Sequence, residues 1–166
     1  MNMNALFAEQ ANIVAYAPLD MSGAAGLQTP YISLKNYARA TVVLLCAAGG
    51  AETPALTFQQ AKNVAGLAVK PLATIAKIHK KEHATTLETQ GIWTAVEQAP
   101  ASIFSATQAV QALYAIDVKA EDLDNDNDFD CFRVTIADVG VAVKLGALFV
   151  ALWGARFVPP LTPLSD

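Results

Sequence analysis

At 166 residues the chain fits one domain and is long enough to bury a substantial core. A net charge of -4 argues against a protein that wraps nucleic acid, because phosphate binding needs clustered cations that release counterions. Charged residues make up 16%, against about 25% in an average soluble domain. Such a surface is either covered by partners or built from many small alanines.

In chain order, residues 1–30 hold the extended stretch Asn12-Ile-Val-Ala-Tyr-Ala-Pro-Leu and then the flexible Asp20-Met-Ser-Gly-Ala-Ala-Gly, which together read as an N-terminal arm. A segment that buries little apolar surface alone is ordered by docking on a neighbour. Asn2, Asn4 and Glu9 precede no basic region and apolar core, so no signal peptide is expected. Cys46 and Cys131 are far apart in apolar runs and form no CxxC pair, so buried free thiols and assembly in a reducing cytoplasm are expected.

Residues 38–47 have strand composition and run into the turn pair Gly49-Gly50. Residues 55–62 alternate apolar and polar, predicting a half-solvated strand, with a helix over 58–69 as the competing reading. Residues 74–83 place Ile75, Lys77 and His79 on one face and Ala76, Ile78 and Lys80 on the other, which reads as an edge strand guarded by lysines. The segments 91–97 and 112–119 show the same period of two, joined by a polar Ser-Ala-Thr-Gln connection with room for one helical turn. In 129–137, Phe132, Val134 and Ile136 oppose Cys131, Arg133 and Thr135, the cleanest strand pattern in the chain. Leu145, Leu148, Phe149, Leu152 and Trp153 satisfy both strand and helix spacing; a strand is preferred because the run is short and its neighbours are strands. Lys144 interrupts the apolar run 139–157, which therefore reads as a buried element rather than a membrane span. Pro159-Pro160 and Pro163 end it. These elements predict a mainly β chain, an antiparallel β-sandwich or jelly-roll-like barrel over 31–157, with the arm at 1–30 and a tail at 158–166.

No catalytic constellation emerges. His79-Lys-Lys-Glu-His83 matches H-x-x-E-H, but on a strand its two histidines lie roughly 13 Å apart at about 3.3 Å per residue, too far to share zinc. The ladder Asp122, Asp124, Asp126, Asp128 and Asp130 resembles the start of a calcium loop. Asn127 stands where such a loop needs glycine, and Arg133 where it needs a bidentate glutamate, so a turn capped by Asp and Asn side chains competes with calcium binding. Neither a nucleophile elbow nor a phosphate loop nor a dinucleotide fingerprint is present, so no enzyme activity, cofactor or metal is expected. Trp93, Trp153, Phe132, Phe149 and Tyr114 read as core residues or as interface anchors.

Ser33-Leu-Lys-Asn-Tyr37, Gln59-Gln-Ala61, Glu121-Asp-Leu-Asp124, Phe129-Asp-Cys131 and Ala155-Arg-Phe157 together resemble a family of tailed-phage virion proteins that decorate the capsid. The resemblance covers most of the chain. It departs where Asp128 replaces a glycine before Phe-Asp-Cys, which puts the tip's backbone conformation in question. The resemblance implies a cement protein on the outside of the head, assembled in the host cytoplasm as a homotrimer, with the major capsid protein as partner and no nucleic acid or membrane bound. The arm and tail would then reach neighbours, making Ile13, Val14, Tyr16, Leu19, Phe157 and Leu161 the expected contacts. The alternatives are a head appendage that binds host surface or glycan, and a neck or tail protein.

Overall fold

A computed structural model describes residues 11–15, 19–22, 27–48, 53–83, 92–106, 111–137, 139–140 and 143–156. The first strands are β1 (Ala11–Ala15), β2 (Leu19–Asp20), β3 (Leu27–Gln28), β4 (Ile32–Ser33), β5 (Tyr37–Cys46), β6 (Ala55–Ala61) and β7 (Lys70–Pro71). There follow β8 (Ile75–His83), β9 (Thr94–Ala101), β10 (Ile103–Ser105), β11 (Gln111–Lys119), β12 (Cys131–Ile136) and β13 (Leu145–Ala155). Two single 3-10 turns, Ala120–Asp122 and Asn125–Asn127, lie between β11 and β12.

Every strand pairing is antiparallel, in two sheets. The larger runs β1-β13-β5-β11-β8-β9, with β2 also on β13; the smaller runs β10-β6-β12-β3, with β4 on β12 and β7 on β6. The expected mainly β, sandwich-like architecture is therefore observed. The inner faces meet in one apolar cluster, to which the larger sheet gives Val42, Leu44, Ile116 and Val150 and the smaller gives Leu56, Phe58, Phe132 and Val134. Phe104 of β10 and Tyr114 of β11 bridge the sheets, with ring centroids 5.4 Å apart. Burying a side chain of this size stabilises the fold by about 1.5–3 kcal/mol.

The ambiguous run 145–155 is a strand. Its helix-like spacing has a simple cause: Leu148, Val150 and Leu152 are buried against the core, while Phe149 and Trp153 on the opposite face are also apolar and half-buried, so the alternation is hidden. Gly154 takes φ +63, and a Cβ there would come within 2.9 Å of the Ala38 Cβ.

The competing helix over 58–69 does not form. β6 ends at Ala61, and Asn63 turns the chain by accepting from the amides of Ala65 (3.0 Å) and Leu67 (3.2 Å) through its side-chain oxygen. Gly66 follows at φ +80 with the Tyr31 ring against it.

The placement of β8 at an edge is wrong. It is an interior strand, paired by β11 on one side and β9 on the other, because strand neighbours are set by long-range pairing that its local lysine pattern does not record. Nor are its faces as expected: Ile75 is buried with Ile78 rather than exposed with Lys77 and His79. Glu97 and Ala101 pair Lys77 and Ile75, so Gln98, Ala99 and Pro100 stand opposite Ala76 alone in a bulge that shifts the alternation. Gln98 Nε2 fills the gap by donating to the carbonyls of Ile75 (3.0 Å) and Ile103 (3.1 Å). Lys80 turns to Glu82 Oε2 at 2.7 Å, and Glu82 Oε1 accepts from the Tyr114 hydroxyl at 2.6 Å, a polar cluster that the sequence pattern did not announce.

Among the described residues no helix is long and apolar enough to cross a membrane. The expected arm contains β1, β2 and β3, whose backbones pair with β13 and β12 of the same chain.

Candidate interaction surfaces

The acidic tip is organised by its own backbone. Asp122 accepts from the Lys119 amide at 2.9 Å, and the Asn125 side chain donates to the carbonyls of Ala120 (2.9 Å) and Leu123 (3.1 Å). Asp124 accepts from Asn127 Nδ2 and from the Lys70 ammonium, while its amide donates to Gln60 Oε1 at 2.9 Å. The Lys70 bond first, and Asn127 second, hold the Asp124 carboxyl below its ordinary range. Phe129 is buried beneath, with the Lys70 ammonium 4.0 Å from its ring centroid. Asp128 adopts the left-handed conformation at φ 63, ψ 26, which glycine favours and Asp tolerates, so the turn is made without the glycine. Among the described residues no three His, Cys, Asp or Glu side chains are grouped to hold a metal ion. His79 and His83 lie on one strand, β8, with His79 exposed.

The short motifs behind the family resemblance serve this scaffold. Leu34, in the turn between β4 and β5, donates to the Asp130 carbonyl at 2.8 Å, and the Arg156 amide donates to the Asn36 carbonyl at 2.8 Å. Gln59 Oε1 accepts from Arg133 Nε at 2.7 Å, and Gln60 Nε2 donates to the Pro71 carbonyl at 3.2 Å. Cys131 Sγ donates to Asp130 Oδ1 at 2.9 Å. Burial, then this bond, pushes the Cys131 thiol up to about 12, and burial pushes Cys46 up to about 11, so both are unreactive free thiols.

The two outward faces of the sandwich differ. On the smaller sheet, the positions pointing away from the core include Thr57, Gln59, Arg133 and Thr135. The Arg133 guanidinium stacks 4.6 Å from the Tyr31 ring centroid. On the larger sheet the corresponding face carries Val43, Leu45, Leu113, Ala115, Ala147 and Phe149, brought side by side by the register of β13, β5 and β11. Leu45 is 42% and Leu145 51% exposed. Both line a shallow apolar cleft of about 310 Å³ with Ala47, Gln111 and Ala147. Toward the other end of the same face the residues turn polar, with Arg39, Thr41, Asp117 and Lys119.

Of the expected contact residues, Ile13 and Val14 lie in β1 opposite Ala151 and Val150, and Leu19 lies in β2 opposite Gly146. Tyr16, Phe157 and Leu161 lie outside the described residues, as do Gly49-Gly50 and Thr107 and Gln108 of the Ser-Ala-Thr-Gln connection. Of the five aromatics read as core or anchors, Phe132 and Tyr114 are core, Phe149 and Trp153 are half-buried on the larger sheet's outer face, and Trp93 is exposed. Comparison of the chain with family models, with curated proteins and with solved structures finds no match.

Proposed function

We propose that this chain is a structural virion protein, a decoration or cement protein that binds the outside of a tailed-phage head as a homotrimer and braces contacts between major capsid subunits. The observation that carries the proposal is the apolar outer face of the larger sheet, where Val43, Leu113, Ala147 and Phe149, half-buried, stand together around Leu45, which is 42% exposed. Contiguous apolar surface of this kind is the mark of a subunit interface. The resemblance of the Ser33–Tyr37, Gln59–Ala61 and Glu121–Cys131 motifs to phage decoration proteins supplies the setting. A protein that touches several capsid subunits at once holds on by multivalency, so modest individual contacts suffice to stiffen a shell under outward load.

The test is to compare particles with and without the protein. Particles lacking it are expected to release DNA at lower temperature and after milder osmotic shock, and adding the purified chain back should restore resistance. Equal resistance with and without it would overturn the cement role.

A further inference from the structure

A second feature of the larger sheet lies at the seam between its apolar and polar halves. Thr41 of β5, His79 of β8, Ala115 and Asp117 of β11, and Trp93 just before β9 surround a shallow cleft of about 280 Å³. The register sets His79 directly opposite Ala115, and Asp117 opposite Thr41. Ala115 contributes only a methyl group, so the floor is flat and low where its neighbours rise.

The polar wall is fixed in orientation. Trp153 Nε1 donates to Thr41 Oγ1 at 3.1 Å, and Thr41 Oγ1 donates to Asp117 Oδ1 at 2.6 Å, a relay across β13, β5 and β11. The hydroxyl proton of Thr41 is thus committed, and the second carboxylate oxygen of Asp117 remains to accept from a ligand. Trp93 is 47% exposed, a large ring left in solvent on the rim.

An aromatic face beside a held carboxylate and an imidazole matches a pyranose ring. The C–H groups on one side of a sugar carry partial positive charge and pack on the negative face of an indole, while its hydroxyls donate to a carboxylate. The carboxylate disfavours anionic ligands such as phosphates or acidic sugars. The geometry points to a subsite for a neutral hexopyranose, the end unit of a surface glycan, on this face. It is independent of the virion assignment.

The experiment is saturation-transfer NMR on the full chain with methyl glycosides of glucose, galactose and mannose, and with sialic acid as the anionic control. At least one neutral glycoside should receive saturation, mainly on the protons of one ring face, with a dissociation constant in the millimolar range appropriate to a ligand of this size. Trp93→Ala should lower that affinity at least tenfold and Asp117→Asn several-fold, each with the thermal transition preserved because both positions are exposed. Ile92→Ala, a neighbouring exposed apolar position, should leave binding unchanged. No saturation with any neutral glycoside at tens of millimolar, equal signal in Trp93→Ala, or preference for sialic acid would each overturn the proposal. The heat and osmotic tests on particles read a different property, so either proposal fails without the other.

Discussion

The smaller sheet turns Thr57, Gln59, Arg133 and Thr135 outward, with Arg133 bonded to Gln59 and stacked on Tyr31. The larger sheet turns Val43, Leu45, Leu113 and Phe149 outward on the equivalent side. The smaller sheet's outer face is thus mostly polar, with Ile103 opposite Thr57 its exposed apolar exception, while the larger sheet is apolar on both sides at one end and turns polar at Arg39, Thr41, Asp117 and Lys119. Antiparallel sheets ordinarily keep one solvated face with clean alternation, so the second apolar side needs a reason beyond folding, which the proposed assembly role supplies.

The sharpest way to break this comparison uses adjacent residues of β5. Leu44 is fully buried and Leu45 is 42% exposed, so Leu44→Ala should destabilise the chain by about 2–5 kcal/mol in urea unfolding, while Leu45→Ala should cost less than about 1 kcal/mol. Similar losses for the two would show that the outer face is part of the folding core.

Next in size is Gly66→Ala, beside the smaller sheet. Its φ of +80, and the Tyr31 ring lying 2.7 Å from where a Cβ would stand, predict a loss of about 1–2 kcal/mol in stability with no change in self-association. Arg133→Ala should cost roughly 1 kcal/mol by removing the Gln59 bond and the ring stack, again without altering association.

A pH dependence is expected as well. The folded thiols bind their protons more tightly than the ordinary 9.0, so their contribution is complete below pH 9 and is lost as pH rises toward about 11 for Cys46 and 12 for Cys131. Cys131→Ala should flatten the alkaline decline in stability. At the acid end, Asp124 and Asp20 are held below their ordinary 3.8, so stability should be steady above that pH and fall beneath it.

Much of the fold was legible where one face is wet. Phe132, Val134 and Ile136 alternate with Arg133 and Thr135 because β12 has a polar outer side, and its strand followed from the pattern. β13 is ambiguous because both sides are apolar, and the faces of β8 depart from simple alternation because a bulge at Gln98–Pro100 breaks the period between Ile75 and Ile78. Strand neighbours are a long-range property, so nothing local told that β8 would lie between β11 and β9. The cleft at Trp93 was illegible for the same reason: Thr41, His79 and Asp117 meet only through register. At the tip, Asp122 accepts from the Lys119 amide and Asn127 donates to Asp124, short-range bonds that Asx residues form within a few positions and that the local sequence therefore makes legible.

Sedimentation velocity of the purified chain across a wide concentration range, wild type beside Leu45→Asp, tests the assembly surface most directly. The wild type is expected to sediment as a species heavier than the 17.5 kDa chain, and Leu45→Asp to shift it to a monomer that keeps the native circular dichroism spectrum and an unfolding midpoint independent of concentration. A wild type that remains a 17.5 kDa monomer at every concentration, indistinguishable from Leu45→Asp, would contradict it.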